Sequence, residues 1–200
     1  MRKAARLVIN NLVWIPVIIL SAWALTPLIW ALSASFKTRI EIYQARTFLP
    51  ANPSLRAYGE VLSSDGFWNF TYNSTFVSIV STFLATAIGI LAAYAFARYA
   101  FRWRHILLIL ILVPRIIPRV SLVVPLYHMI VSFGLLDTRL ALVITYTATA
   151  VPFVTWILAS FFATVPKSLE DAATIDGASL WQTLFYVMIP VAWPGIITLY

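Results

Sequence analysis

The stretch LVINNLVWIPVIILSAWALTPLIWALSAS, Leu7 to Ser35, carries no charged side chain from end to end. About 20 residues of helix cross the hydrocarbon core of a bilayer, and this run is longer than that. A chain in hydrocarbon must satisfy its own N–H and C=O groups, so the spanning structure is a helix or a closed barrel, and the short alternating strands of a barrel are absent. The reading that follows is an all-α integral membrane protein, a multi-span helical bundle. Arg2, Lys3 and Arg6 precede the run, the arrangement of a secretory leader or of a first span. Length separates the two. A leader's apolar core is about 7 to 15 residues, so an uncleaved span over 7–35 is expected even though ALSAS resembles a cleavage site.

The rest of the chain repeats the pattern. Hydrophobic residues make up 62% of the 200 residues and charged ones 10%, too apolar a balance for a water-soluble fold. Further spans are predicted over 71–97, 105–131 and 140–162, and a last one runs from 184 to Tyr200 without reaching a polar end. Between the first two lies a mixed segment, 37–69, with Pro50, Pro53, Gly59 and Gly66 as punctuation; it reads as an external loop with short helical turns. In the second span Ser78, Ser81, Thr82, Ala85 and Gly89 form a small-residue face that lets another helix approach closely.

Charge sets orientation. Arg98, Arg102 and Arg104 crowd the short loop RYAFRWR beside the second span, and the basic N-terminus hugs the first. By the positive-inside rule both are cytoplasmic. The net charge of +7 belongs to this membrane pattern and not to nucleic-acid binding. With no cysteine, two histidines and no cluster of ligating side chains, disulfides, metal centres and a thiol nucleophile have no footing.

One polar interruption, 163–183, stands between the fourth and fifth spans on the cytoplasmic side. Pro166 suits a first helical turn, Glu170 and Asp171 sit early where the helix dipole favours carboxylates, and Leu169, Ala172 and Ala173 share a face. Gly177 supplies the left-handed residue that stops the helix. Ser179 and Gln182 have capping-box spacing, so a second helix starts there and enters the membrane. A short helix held at the surface by two spans is a docking knob rather than an active site, and the bland alternative is a solvated helix start.

This segment resembles the EAA loop of ABC importer permeases, roughly P-x-x-L-x-E-A-A-x-x-D-G-A. Pro166, Leu169, Asp171, Ala172, Ala173, Asp176, Gly177 and Ala178 fall on its positions, with Asp171 in place of the usual glutamate. FLPANPSLRAY (48–58), YNSTFVS (72–78), AAYAFARYAF (92–101), GLLDT (134–138) and Pro152-Phe153 resemble the carbohydrate-uptake branch that includes the maltose-type permeases. The resemblance implies an inner-membrane permease domain over 1–200, with its N-terminus in the cytoplasm. It also implies a second permease, two ATP-binding subunits and an extracytoplasmic solute-binding protein as partners. The ATPase would bind Pro166 to Ala178, Glu170 included. Members of the family complete the fifth span and add a sixth, so a C-terminal truncation is expected.

The six glycines include no Gly-Lys pair and so no phosphate-cradling loop; no cofactor is expected on this chain, and ATP is hydrolysed by the partners. The third span is broken by Pro114, Pro118 and Pro125, and Arg115 and Arg119 lie four apart in it, a spacing that puts them on one helix face near the bilayer middle. An arginine placed centrally costs at least about 2.5 kcal/mol and requires a partner, yet no predicted span holds an acid. They either line the path of an anionic solute, satisfy carbonyls freed near Pro114 and Pro118, or contact the partner permease. Asn73 and the second-span serines suit helix packing, and His128 suits an interface. An ion-coupled transporter would call for intramembrane carboxylates and an intramembrane hydrolase for a catalytic pair; neither pattern is present.

Overall fold

The computed structural model describes residues 2–44 and 47–198, with side chains from Trp14 onward apart from Gln44 and Arg119. Within these residues every regular element is helical. Among the described residues four helices are long and apolar enough to cross a membrane, five if a bent pair counts as one span. The chain divides into two compact units, residues 1–71 and 72–200.

In the first unit, α1 (Arg2–Ser35) bears exposed apolar side chains along Trp14 to Leu32, the surface of a helix meant for lipid or another protein. Its far end is covered by the loop that follows. Lys37 and Glu41 are buried there but satisfied by loop backbone: Lys37 donates to the Thr47 carbonyl, and Glu41 accepts from the Ala51 N–H at 2.5 Å. Burying a charge is tolerable only with such partners. The short helices α2 (Arg39–Gln44) and α3 (Arg56–Leu62) are the helical turns expected of this loop. Glu60 of α3 accepts from Arg56 and Arg39, and those guanidinium groups, Arg56 foremost, hold its carboxyl below the ordinary range.

The second unit is built on α4 (Phe67–Arg98), whose inner face is Val77, Ser81, Ala85, Gly89 and Ala93, one residue every fourth position. That spacing keeps one row of small side chains on a single helix face. Of the small-residue face expected from sequence, Ser81, Ala85 and Gly89 are buried and Ser78 is exposed. At Gly89 the partner helix comes so close that a Cβ would lie 2.5 Å from Val154 Cγ1. That partner is α7 (Arg139–Thr164), started by Thr138, whose hydroxyl accepts from the Ala141 N–H.

The third span is broken, as Pro114, Pro118 and Pro125 predict. It is α5 (Arg104–Leu110), a 3-10 turn at Val113–Arg115, and α6 (Arg119–Ser132), with a sharp bend at the break. Pro114, with no N–H to give the Leu110 carbonyl, stops α5 there, and Pro118 stands extended at the start of α6 and keeps Ile117 out of the helix. The expectation that Arg115 and Arg119 share the face of one helix therefore fails.

The last helix runs from α9 (Leu180–Thr183) through a π turn at Leu184–Met188 into α10 (Ile189–Ile197). Pro190, without an N–H to give, follows the widened turn. Residues 199 and 200, the end of the predicted fifth span, lie outside the described residues. Leu184, Met188, Ala192 and Ile196 pack with Ala93, Tyr94, Val154, Leu158 and Phe162 into a core shared by α4, α7 and this helix.

Candidate functional site

The polar interruption between α7 and α9 folds as the sequence predicts. Val165 ends α7 in extended backbone, Pro166 opens α8 (Lys167–Ile175), and Asp176 closes it. Gly177 has φ +82°, a left-handed conformation that costs an ordinary residue about 1–2 kcal/mol. The Ala178 N–H reaches the Ala173 carbonyl at 2.9 Å and the Gly177 N–H reaches the Thr174 carbonyl at 3.1 Å. Those two bonds are a Schellman stop, and they use up carbonyls the helix end would otherwise leave open. The capping box then starts α9: the Ser179 N–H donates to Gln182 Oε1 at 2.7 Å, and the Gln182 N–H donates to Ser179 Oγ at 3.4 Å.

α8 does not split into an alanine face and an acidic face. Asp171, Ala172, Ile175 and Asp176 are exposed, Leu169 is largely exposed, and Ala173 and Ala178 are half-buried. The two adjacent carboxylates part company. Asp171 points outward, whereas Glu170 turns inward as an ion-pair partner of Arg98 in the last turn of α4, and it accepts from Tyr94 Oη at 3.0 Å. Glu170 is thus not a solvated helix-start carboxylate.

Arg98 is the residue that sequence reasoning missed. Its place in an arginine-rich loop marks it as an orienting charge, but it belongs to α4 and also donates to the Val165 carbonyl at 3.0 Å. The available signals were its i+4 spacing from Tyr94 and the fact that every acid in the C-terminal half beyond Asp137 lies within 170–176.

At the opposite end of α4 and α7 a cleft of about 750 Å³ is lined by Asn73, Tyr127, Asp137, Arg139, Thr145 and Tyr146, among others. Arg139 donates to Asn73 Oδ1 at 2.8 Å and lies over the Tyr72 ring. Asn73 thus links α4 to α7, the helix packing expected of it, and braces a cation at the cleft. His128 is exposed beside Tyr127 on α6.

Arg115 sits at the helix break with its guanidinium 3.9 Å from the centroid of the Phe153 ring. A cation over an aromatic face is attracted by the ring's negative quadrupole, so its partner is a π surface on α7. The side chain of Arg119 lies outside the described residues. No group of histidine, cysteine or carboxylate side chains able to hold a metal occurs among the described residues.

Residues 85–200 match the protein family described as binding-protein-dependent transport system inner membrane component. The sulfoquinovosyl glycerol transport system permease protein SmoH of Agrobacterium fabrum is 38% identical over 175 residues, covering 87% of this chain and 61% of that protein. The diacetylchitobiose uptake system permease protein NgcG of Streptomyces coelicolor is 34% identical over 179 residues, 90% of this chain and 59% of that protein. The chain thus spans about three fifths of the length of these curated relatives. In three dimensions it is similar to a chain in the crystal structure of a bacterial ABC transporter involved in import of the acidic polysaccharide alginate. That match has a TM-score of 0.77 at 28% identity and covers 100% of this chain and 69% of the other.

Proposed function

The chain belongs to the binding-protein-dependent transport system inner membrane components, and from that premise we propose that it acts as a permease subunit of an ATP-driven importer. It forms part of the route of a carbohydrate or related polyol and takes its energy from a separate ATPase through α8. The observation that carries this reading is α8 itself: a short helix stopped by Gly177, fixed between two spans, with Asp171, Ala172, Ile175 and part of Leu169 exposed for a partner to hold. On this reading Pro166 to Ala178 sits in a cleft of the ATPase, on the cytoplasmic side of the cell membrane with the N-terminus on the same side. The machine is completed by a second permease, two ATP-binding subunits and an extracytoplasmic solute-binding protein.

The experiment is to replace Asp171 by arginine in the complete transporter, reconstituted with its partner subunits in vesicles. The reading expects the ATPase to bind less tightly and uptake to collapse while the permease stays in the membrane. Full uptake with the ATPase bound as before would overturn it.

Arg115 supports a second reading, in which the solute is anionic. Its charge has an aromatic partner and no carboxylate among the described residues, so an incoming carboxylate, sulfonate or phosphate would be its first counter-charge. Relatives named for sulfoquinovosyl glycerol and trehalose, and a neighbour named for an acidic polysaccharide, keep both solute classes within reach.

A further inference from the structure

We propose that Arg98 and Glu170 are positioning residues that form a permanent strut between α4 and α8, so that the segment taken to engage the ATPase and the spanning helix move as one body. The proposal rests on the coupling reading of α8 given above and names the element that receives the motion.

The first support is how little else attaches α8 to α4. None of its residues is fully buried, and its packing is against the π turn of the last helix more than against α4. It is bounded by Pro166, whose backbone is extended, and by Gly177 in the left-handed region. A helix hinged at those two points and with little packing against α4 would swing relative to α4 when pulled.

The second support is the geometry of the pair. The side chains of Arg98 and Glu170 are 13% and 12% exposed, whereas in the loop pairs Arg39–Glu60 and Arg56–Glu60 the arginines are 87% and 85% exposed. Water competes for exposed pairs and lets them open. Separating a pair taken out of water strands two charges in a poor dielectric, so the inner pair stays shut.

The third support is convergence. Tyr94 Oη binds the second carboxylate oxygen of Glu170, while Arg98 Nη2 donates to the carbonyl of Val165, where α7 ends, and lies 3.5 Å from Met188 Sδ in the π turn. One guanidinium thereby gathers α4, the end of α7, α8 and the last helix. With the strut gone, the partner would move α8 while α4 stayed behind.

The test uses the complete transporter in vesicles and reads uptake per ATP hydrolysed. Arg98→Gln, which removes the charge from the α4 side and leaves the ATPase-binding segment untouched, is expected to leave the ATPase bound and hydrolysing while uptake per ATP falls by about tenfold. In a second arm, Arg98→Cys with Glu170→Cys, in a transporter otherwise cleared of cysteine (these 200 residues hold none), is expected to transport poorly until a short bifunctional thiol reagent bridges the two positions and restores uptake. Unchanged uptake per ATP in Arg98→Gln, or loss of function on bridging, overturns the strut. Asp171→Arg distinguishes the two proposals: if it alone uncouples, the strut fails and the coupling reading stands. If it leaves uptake and ATPase binding intact, the coupling reading itself fails.

Discussion

Thr155 shows how much single atoms matter in an apolar bundle. It is 1% exposed and its hydroxyl has no hydrogen-bond partner among the described residues. A buried hydroxyl left unpaired costs roughly 1–3 kcal/mol, so Thr155→Val, which replaces the hydroxyl by a methyl of similar size, is expected to stabilise the protein by about 1 kcal/mol. Thermal unfolding in detergent micelles measures this; a lower midpoint in the valine variant would count against it. Glu170 and Asp171 make the same point from the other side. Adjacent in sequence and alike in chemistry, they differ because a helix turns about 100° per residue. One carboxylate therefore reaches Arg98 and the other reaches solvent. Sequence placed both at a helix start but held no information on which neighbour stood on each side.

At the scale of elements, the close approach of α4 and α7 depends on Gly89. An added Cβ would lie 3.1 Å from Val154 Cβ as well as 2.5 Å from its Cγ1, so the clash involves the root of a neighbouring side chain and not a flexible tip. Gly89→Ala is expected to destabilise by about 1–3 kcal/mol, since overpacking outweighs the better helix propensity of alanine. A second change, Val154→Ala, should recover part of the loss, and equal melting points for wild type and Gly89→Ala would contradict the expected clash. The helices themselves were legible: apolar runs, the Ser179 capping box and the Gly177 stop all lie where local chemistry put them. The break in the third span was legible from Pro114, Pro118 and Pro125, but not which of them makes it: Pro125 sits inside α6 while Pro118 stands at its start. Neighbouring packing decides which proline bends and which breaks.

At the scale of the whole molecule, Arg115 bears on the cargo. If the solute is anionic, Arg115→Ala should raise the KM for uptake by about tenfold, the worth of one lost charge-assisted contact, with little change in the ATPase. Undiminished transport of an anionic solute by that variant would return Arg115 to the role of a brace against Phe153. By itself the sequence determined the all-helical membrane class, the approximate spans and the form of the α8 segment. These follow from hydrophobic length, backbone satisfaction and capping, all of which act between residues close in the chain. Only the tertiary structure decided that Arg98 faces Glu170, that Arg115 lies over Phe153 and that Arg139 is braced by Asn73. Those partners stand 38 to 72 positions apart in the chain, and no local pattern encodes which side chains meet once the helices have packed.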